Sequence, residues 1–438
     1  MRGVILLLTM MAATLVLASG VALAVGVGSA AQSSLVGPGE SIQKAIDAAH
    51  PGDTIVVRGV HREDVVIRKN GIKLRGDDAV IEAPARADSP CSKATGPEGI
   101  CILGDVNLKS SKVTGPRVKD VSVTGFTIRG FKEGGDGNFA IDAAGARNAT
   151  IVGNRATGNV TGGIIISSSN INTTVAKNHV VGIPETSSEG IVVTGHSRNT
   201  TVTKNEVRSI PEGHNAIEVN EGSVNTTIAG NDLRDDWLGV FVENSTRTKV
   251  LSNDMSRFGI VGIYMAGPKN PAKANVVGNH ISGGPWGIYI TDTKGGSFAG
   301  NTIHDNCAGM FFEAFKAEPV GGLKVTGNTV EDNTRSCGGP KFGRKFSGIG
   351  IALLGASGME VTANHISGNV PSGPTRISGG VVVSTDPYFG GTTKPKNNSV
   401  VANDFGRNKP DIFWDKSGSG NRFVGNLCDT SVPKSLCK

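Results

Sequence analysis

The chain has 438 residues, and 62 of them are Gly, which favours an architecture with many tight turns over a helical bundle. Its 44 Lys and Arg against 38 Asp and Glu give a net charge of +6. That excess is mild for this length and argues against a nucleic-acid-binding protein, for which a dense basic stripe is expected.

The amino terminus predicts a signal peptide over residues 1–31. A basic residue precedes the apolar run Ile5–Val16, and small residues suit cleavage near Ala30. The weakly apolar stretch continues beyond this run, so an uncleaved membrane anchor is the alternative. No later segment has the roughly eighteen consecutive apolar residues of a membrane span. Residues 32–438 are therefore expected to form one secreted, monomeric domain.

The segment after the leader predicts a short amphipathic helix and then strands. Ser41 suits the N-cap of a helix that continues to Ala49, with apolar residues on one face. Such a helix can cover the open end of a stacked repeat, whose last strand would otherwise expose its core. Strands are predicted at Thr54–Val57, Val65–Ile67 and Ile72–Leu74.

The six cysteines predict structural disulfides. An exported chain with an even cysteine count is expected to form them, and six cysteines allow fifteen pairings. Residues 84–119 depart from the repeat described next and are predicted to be a loop insertion stapled by the first pair. No pair has C-x-x-C spacing, so neither a metal nor a cofactor is predicted. Proximity favours Cys91 with Cys101, Cys307 with Cys337, and Cys428 with Cys437.

An Asn recurs through the rest of the chain and defines a repeat. The first seven intervals are 22–27 residues, and later intervals of 36 and 39 indicate rungs with inserted loops. Such a period, with three short strands per rung and no helical pattern between them, predicts an all-β parallel β-helix. The Asn is expected to take the left-handed turn geometry and to form a hydrogen-bonded ladder inside the coil. It occupies positions 154, 178, 205, 231, 253, 279, 301, 328, 364, 403 and 426.

The segment S-I-Q-K-A-I-D-A-A-H-P-G-D-T-I-V-V, followed by repeated G-N-x-[IV] and G-I-x-[IV], resembles the right-handed parallel β-helix repeat family. That family has the pectin-lyase-like fold and includes copper-accessory (NosD-like) and sugar-binding or sugar-hydrolysing members. The resemblance covers nearly the whole mature chain. It implies the fold and says little about function, because the motifs consist of core and turn residues.

One outward face of the predicted coil carries aromatic residues on four consecutive rungs. In a strand, the second residue after the repeated Gly points outward if the first points inward. The resulting column runs from Asp142 to Val382 and passes through Gly350. An aromatic strip suits the faces of sugar rings, although the rings can equally stack on one another beneath the loops without a ligand. The strip consists of Phe241, Tyr264, Tyr289 and Phe311.

Charged residues flank this strip. Lysines in the following turns, Lys294 and Lys316 among them, would suit an anionic polysaccharide, although singly such residues are solvated turn residues. Glu218 and Glu243 lie on adjacent rungs with a predicted backbone separation of about 8 Å. Inverting glycosidases hold their carboxyls roughly 6.5–9.5 Å apart. The alternative is that these acids only solvate the strand. The further catalytic candidates are Asp292 and Glu313.

Two other chemistries are disfavoured. His179, His280 and His365 share a repeat position but are at least three rungs apart, too far to hold one copper ion. Mannuronan epimerases of this fold carry an Asp-Pro-His-Asp motif. The run Asp386–Phe389 keeps two of those four residues and lacks the His.

The sequence thus predicts a secreted β-helix protein that binds, and in the stronger form of the hypothesis cleaves, a polysaccharide along one sheet face. Hydrolase, lyase and epimerase chemistry all stay open. The alternative function is a non-catalytic surface or scaffold protein.

Overall fold

The computed structural model describes residues 31–132, 138–159, 161–182, 189–267, 273–314, 320–338 and 345–437. All but the last residue of the predicted signal peptide, residues 1–31, lies outside these ranges. Within them the chain forms two short helices, Ile42–Ala48 and Pro90–Thr95. No described helix is long and apolar enough to cross a membrane.

The remaining structure is almost entirely β. The larger sheet contains two strands from most rungs: Ser33–Val36, Thr54–Arg62, Lys73–Glu82, Ser122–Arg129, Thr150–Val152, Arg155–Thr157, Thr174–Ala176, His179–Val181, Thr201–Thr203, Glu206–Arg208, Thr227–Ala229, Asp232–Arg234, Lys249–Leu251, Asp254–Ser256, Ala274–Val277, His280–Ser282, Lys294–Ala299, Thr302–His304, Gly321–Thr326, Thr329–Glu331, Glu360–Thr362, His365–Ser367, Ser399–Val401, Asp404–Gly406 and Arg422–Val424.

The smaller sheet contains the third strand of each rung: Val65–Ile67, Ile100–Leu103, Phe139–Ala144, Gly162–Ser167, Glu189–Val193, Asn215–Val219, Leu238–Glu243, Val261–Ala266, Trp286–Thr291, Ala308–Glu313, Ile349–Leu354, Gly379–Ser384, Ile412–Trp414 and Ser431–Val432. Two minor pairs complete the strands: Val118–Lys119 with Ala146–Arg147, and Val106–Asn107 with Lys112–Val113.

Each rung pairs in parallel with the next, so the predicted parallel β-helix is confirmed. In the smaller sheet Ile141 pairs with Ile164, and Ile191 pairs with both Ile164 and Ile217. All four side chains are fully buried inside the coil. The alternation of inward and outward residues therefore continues unbroken from rung to rung, which is what fills a solenoid core.

The repeated Asn residues form the predicted ladder. From Asn154 to Asn426, each side-chain Nδ2 donates to Oδ1 of the Asn on the following rung over 2.9–3.1 Å. The backbone N–H of the same Asn donates to the same oxygen over 2.9–3.0 Å. The ladder thus satisfies a buried backbone donor at this bend of each rung.

The left-handed conformation was assigned to the wrong residue. It is taken by the residue before each ladder Asn, such as Gly230 or Gly278, with φ of 62° and 66°. Glycine meets no steric cost there, which explains why G-N is the frequent form of the motif. Lys177 and Lys204 adopt the same conformation at the equivalent positions.

The Gly that opens the smaller-sheet strand is required by close approach between rungs. A Cβ built on Gly239 would lie 2.5 Å from the carbonyl oxygen of Gly262, and one on Gly163 would lie 2.7 Å from that of Gly190. These distances are shorter than any ordinary carbon contact. Gly99 is equally crowded, 2.5 Å from the oxygen of Ala140.

The crowding at Gly99 marks an additional rung inside residues 84–119. The predicted insertion contains Ile100–Leu103, a strand of the smaller sheet that pairs with Phe139–Ala144. The segment is therefore not loop throughout. The signal was present as Gly99 followed by an apolar strand, but no repeat Asn precedes it.

The first helix covers the amino-terminal end of the coil, with Ile42 and Ile46 buried. Ser41 caps the first helix as predicted, and its Oγ accepts from the backbone N–H of Lys44. Glu63 also accepts from the N–H groups of Ile42 and Gln43, which satisfies further free donors of the helix. All three predicted disulfides are present: Cys91–Cys101, Cys307–Cys337 and Cys428–Cys437.

The outward column needs one correction. Ile351 pairs with Met310, so Ala352, not Gly350, lies beside Phe311. The strand contains two Gly-Ile steps two residues apart, at Gly348 and Gly350, and the alignment on the first of them shifted the register. Because the shift is two residues, the face is unchanged.

We expect Asn253→Ala to lower the free energy of unfolding by about 2–4 kcal/mol, because Asn231 loses the acceptor of both its buried N–H groups. Asn225→Ala is the matched control. This Asn belongs to an exposed ladder and donates to Asn199. Its φ of 60° is left-handed, so placing Ala there is expected to cost about 1 kcal/mol. Chemical denaturation followed by circular dichroism measures both. Equal losses would contradict a special role for the buried ladder.

Candidate functional site

The outward face of the smaller sheet brings most predicted site residues into line. Register places Glu218 beside Phe241, Phe241 beside Tyr264, Tyr264 beside Tyr289, and Tyr289 beside Phe311. At about 4.8 Å per rung, acids and aromatic rings follow one another along a single column. Glu243 lies in the next outward column, on the strand of Phe241.

A row of polar side chains forms the acidic end of this face. Asn215 Nδ2 donates to one oxygen of Glu218 over 3.0 Å, and the amide of Asn220 donates to the other. Glu189 Oε1 lies 2.9 Å from His214 Nδ1, and Glu189 Oε2 accepts from the Asn215 backbone over 2.7 Å. We name Glu189, Glu218 and Glu243 the acid row.

Burial raises the pKa of two carboxyls in the acid row. For Glu218, burial is the main cause, and the charge of Glu243 raises the pKa further. For Glu189, burial again dominates, opposed by the hydrogen bond from His214 and reinforced by the charge of Glu218. Carboxyls that retain a proton above their ordinary range are suited to general acid catalysis.

Glu189 and His214 were missed from the sequence. Gly162 pairs with Glu189, and Asn215 pairs with Leu238, so these residues form an outward column at the start of the strands. Alternation counted back from the inward residue after the repeated Gly points the residue before that Gly inward, so the strand pattern did not reveal Glu189. Only positions after the Gly were considered.

Asp142 lies further along the same face and is buried. Its Oδ1 accepts from Ser167 Oγ over 3.2 Å. Burial raises the pKa of Asp142 to about 7, and the Ser167 hydrogen bond only partly opposes this. The side chain therefore titrates near neutral pH.

The aromatic strip is stacked and only partly exposed. The Phe241 and Tyr264 ring centroids are 5.3 Å apart, and those of Tyr264 and Tyr289 are 5.1 Å apart at 11°. Phe311 meets Tyr289 edge-on and is 1% exposed. Phe241, Tyr264 and Tyr289 are thus partly exposed, whereas Phe311 is buried at the end of the strip.

A second hydrophobic cluster lies outside the coil, against this face. Trp286 stacks on Phe346 at 4.6 Å, and Tyr388 packs near Phe311. Phe346 and Tyr388 belong to the two long intervals of the repeat, so the periodic pattern did not reveal them. Together with the strip they enclose a pocket of about 330 Å³. We name it the aromatic pocket; it is lined by Trp237, Leu238, Ile260, Val261, Tyr264, Trp286, Tyr289, Phe311, Phe346, Tyr388 and Phe389.

The run Asp386–Phe389 builds part of this pocket. The buried carboxylate of Asp386 accepts from the backbone N–H groups of Tyr388 and Phe389, each over 2.7 Å, and of Gly391 over 3.0 Å. This Asp therefore shapes the turn that carries two lining rings. Its partial match to the epimerase motif has a structural explanation.

The other two predicted acids lie apart from the acid row. Glu313 is three rungs beyond Glu243, fully buried, and accepts a hydrogen bond from the Tyr289 hydroxyl. Burial raises the pKa of Tyr289, and the charge of Glu313 raises it further. Asp292 follows the strand Trp286–Thr291 in a left-handed turn. The structure thus does not gather the four acids at one point.

The predicted basic edge is only partly described. Lys294 is exposed at the start of the strand Lys294–Ala299. Lys316, and Lys269 before it, lie outside the described residues.

The three repeat histidines lie on the larger sheet with separate neighbours. His179 Nδ1 is 3.1 Å from Glu206, and His365 Nδ1 is 3.0 Å from Asp404. His280 Nε2 is 3.0 Å from His304 Nε2. In the described part of the chain, one cluster of three side chains is close enough to hold a metal ion: Cys91, Glu98 and Cys101. Both of its sulfurs are joined in a disulfide.

Comparison with known proteins agrees with this architecture. A family model described as a right handed beta helix region matches residues 52–233 and 215–405. A search among curated proteins found no match.

Several solved structures share the fold at low sequence identity. The A-module of the mannuronan C-5 epimerase AlgE6 from Azotobacter vinelandii is 15% identical with a TM-score of 0.55, over 89% of this chain and 95% of that one. A tailspike of the E. coli bacteriophage HK620, in complex with a hexasaccharide, is 11% identical with a TM-score of 0.54, over 90% and 68%. PfbA, a surface adhesin of Streptococcus pneumoniae, is 14% identical with a TM-score of 0.51, over 87% of each chain.

We expect Asp142→Asn to raise the free energy of unfolding at pH 8 by about 4 kcal/mol and to change it little at pH 4. The unfolded carboxyl ionises near 3.8 and the folded one at about 7, so stability falls as pH rises between these values. Asn removes this cost. Thermal unfolding at both pH values measures it, with exposed Asp120→Asn as control. An equal shift at pH 4 and pH 8 would contradict the assignment.

Proposed function

The chain belongs to the right-handed β-helix family, and we propose that it binds a polysaccharide along the outward face of its smaller sheet and hydrolyses it at the acid row. One observation carries the proposal: carboxyls with raised pKa continue directly into a stacked, partly exposed aromatic strip. Aromatic rings bind the apolar faces of sugars, and a protonated carboxyl can donate to a glycosidic oxygen.

In the proposed reaction Glu218 is the general acid and Glu243 the general base. Glu218 gives its proton to the leaving oxygen as the glycosidic bond breaks. Glu243 takes a proton from a water molecule that attacks the anomeric carbon from the opposite side. The register separation of about 8 Å favours this inverting geometry over a covalent intermediate.

The other residues of this face have supporting roles. Glu189, hydrogen-bonded to His214, accepts from the Asn215 backbone, and the Asn215 side chain donates to Glu218 and so orients the acid. Phe241 and Tyr264, stacked on each other, would contact the sugar units that follow the cleavage point through the parts of their rings that stay exposed. Glu313 is buried and would hold the Tyr289 ring through its hydroxyl. Neither Glu313 nor Asp292, at the far end, would take part in bond cleavage.

The similar structures agree with a polysaccharide ligand. By name, one is a mannuronan epimerase and one holds a hexasaccharide. At 15% identity or less their likeness shows the fold alone.

Residues 32–438 are proposed to be one exported, monomeric domain, and three disulfides suit an oxidising compartment. Lys294 and Lys316 would favour an anionic polysaccharide as the ligand.

A non-catalytic scaffold or surface protein is the second candidate. The burial of Phe311 and its packing against Tyr388 favour it, because these rings act as structure and not as an open platform. In that case the strip is a stacking ladder and the acid row a solvated patch.

We expect Glu218→Gln and Glu243→Gln each to lower kcat by at least about 100-fold, with little change in glycan binding. The control is Glu221→Gln, an exposed carboxylate nearby on the same rung. Because burial raises the pKa of Glu218, the activity of the parent should fall with rising pH only above the ordinary pKa of a Glu side chain. Reducing-end release from neutral and uronic polysaccharides measures both.

Binding without product would leave a carbohydrate-binding protein. No binding to any polysaccharide tested would leave the scaffold. Full activity in both Gln variants would remove the acid row from the mechanism.

A further inference from the structure

We propose that the aromatic pocket is a subsite for an apolar acyl group, an acetyl above all, carried by a neutral polysaccharide. The inference rests on the proposed function and names the substrate class of the same face. It follows from three features: what lines the pocket, where the pocket lies relative to the acid row, and which charges surround it.

The lining of the pocket is apolar. None of the described residues that line it is charged, and eight of the eleven are Trp, Tyr or Phe. A volume of about 330 Å³ accommodates a substituted sugar unit but not a longer piece of chain. Rings stand on opposite sides, with Trp286 stacked between Tyr289 and Phe346.

The hydroxyl groups at the pocket are already engaged. The Tyr289 hydroxyl donates to Glu313, and the Tyr388 hydroxyl lies 3.1 Å from that of Thr375. The Tyr264 hydroxyl interacts with the side chain of Thr291. A sugar hydroxyl placed here would lose water and meet mainly apolar ring surface, whereas a methyl group gains contact with the rings.

The pocket begins on the rung that carries the proposed base. Leu238 lines it, and Leu238 and Glu243 are the two ends of one strand. Phe241, on the same strand, stacks on Tyr264 and links the acid row to the pocket. One polysaccharide can therefore present a glycosidic bond to the acid row and its substituent to the pocket.

The surrounding charge favours a neutral chain. Glu189, Glu218 and Glu243 are joined by Asp142 along the same face. A uronic carboxylate beside these groups would be repelled where burial already makes ionisation costly. An acetylated neutral sugar offers apolar surface and adds no charge.

The test compares matched glycans. Neutral polysaccharides, O-acetylated xylan and glucomannan among them, are offered in native and saponified form. Chito-oligosaccharides are compared with cello-oligosaccharides of equal length, which carry a hydroxyl in place of the acetamido group. Isothermal titration calorimetry is expected to show at least ten-fold tighter binding of an acetylated form, and the two comparisons separate O-acetyl from N-acetyl groups.

Variants tie the preference to the pocket. Phe389→Ala removes a lining ring that is 37% exposed, so folding should be unaffected. It is expected to lower the acetylated-to-deacetylated affinity ratio to about one-third or less of the parent value, with binding of the deacetylated form unchanged. Phe413→Ala is the control, since this half-buried ring belongs to the same outward column but does not line the pocket.

The outcomes separate the two proposals. Equal binding of both forms, or tighter binding of the deacetylated or uronic polymers, would overturn the acyl subsite and leave the polysaccharide function standing. Failure to bind every glycan would overturn both. A preference that survives in Phe389→Ala, or that Phe413→Ala removes equally, would place the acyl group elsewhere.

Discussion

A buried Asn side chain, repeated at the same bend of successive rungs, is the interaction on which this fold depends. The bend leaves a backbone N–H inside the coil, and water cannot reach it. The amide oxygen of the next Asn accepts both that N–H and the Nδ2–H of the preceding Asn, as between Asn253 and Asn279. Each amide thereby satisfies its neighbour, at the cost of a left-handed residue just before it. Because the amides must stack, the rungs cannot slip against one another.

That constraint also aligns the outer surface. When rungs are held in register, every outward position becomes a straight column, whatever residue occupies it. Glu218 and Tyr264 are therefore two rungs apart in one line although 46 residues separate them in the chain. The coil demands only inward apolar residues, the Asn and the Gly. The outward columns are free to carry chemistry, and here they pass from carboxyls to aromatic rings.

The inserted loops decide how much of this surface stays accessible. They contribute Phe346 and Tyr388, and the Cys307–Cys337 disulfide ties one of them to the coil. Their rings bury Phe311 but leave a pocket beside Tyr264 and Tyr289. The same packing therefore supports a scaffold in one place and a ligand site in the other. Burial of the carboxyls has two effects. It lowers the stability of the fold when they ionise, and it gives Glu218 the raised pKa that an acid catalyst needs.

The sequence alone determined the coil, its three strands per rung, the Asn ladder, the disulfide pairs and the order of the outward column from Glu218 to Phe311. These features repeat at short range, so each rung carries the signal for its own strands and for its place on the next rung. Only the tertiary structure decided that Glu189 joins the acid row with His214 beside it, that Phe311 is covered, and that Ile100–Leu103 is a rung. The aromatic pocket and the raised pKa values were likewise decided only by the tertiary structure. They arise where insertions outside the period fold back onto the coil, and no local pattern records which rings will meet or which carboxyls will lose water.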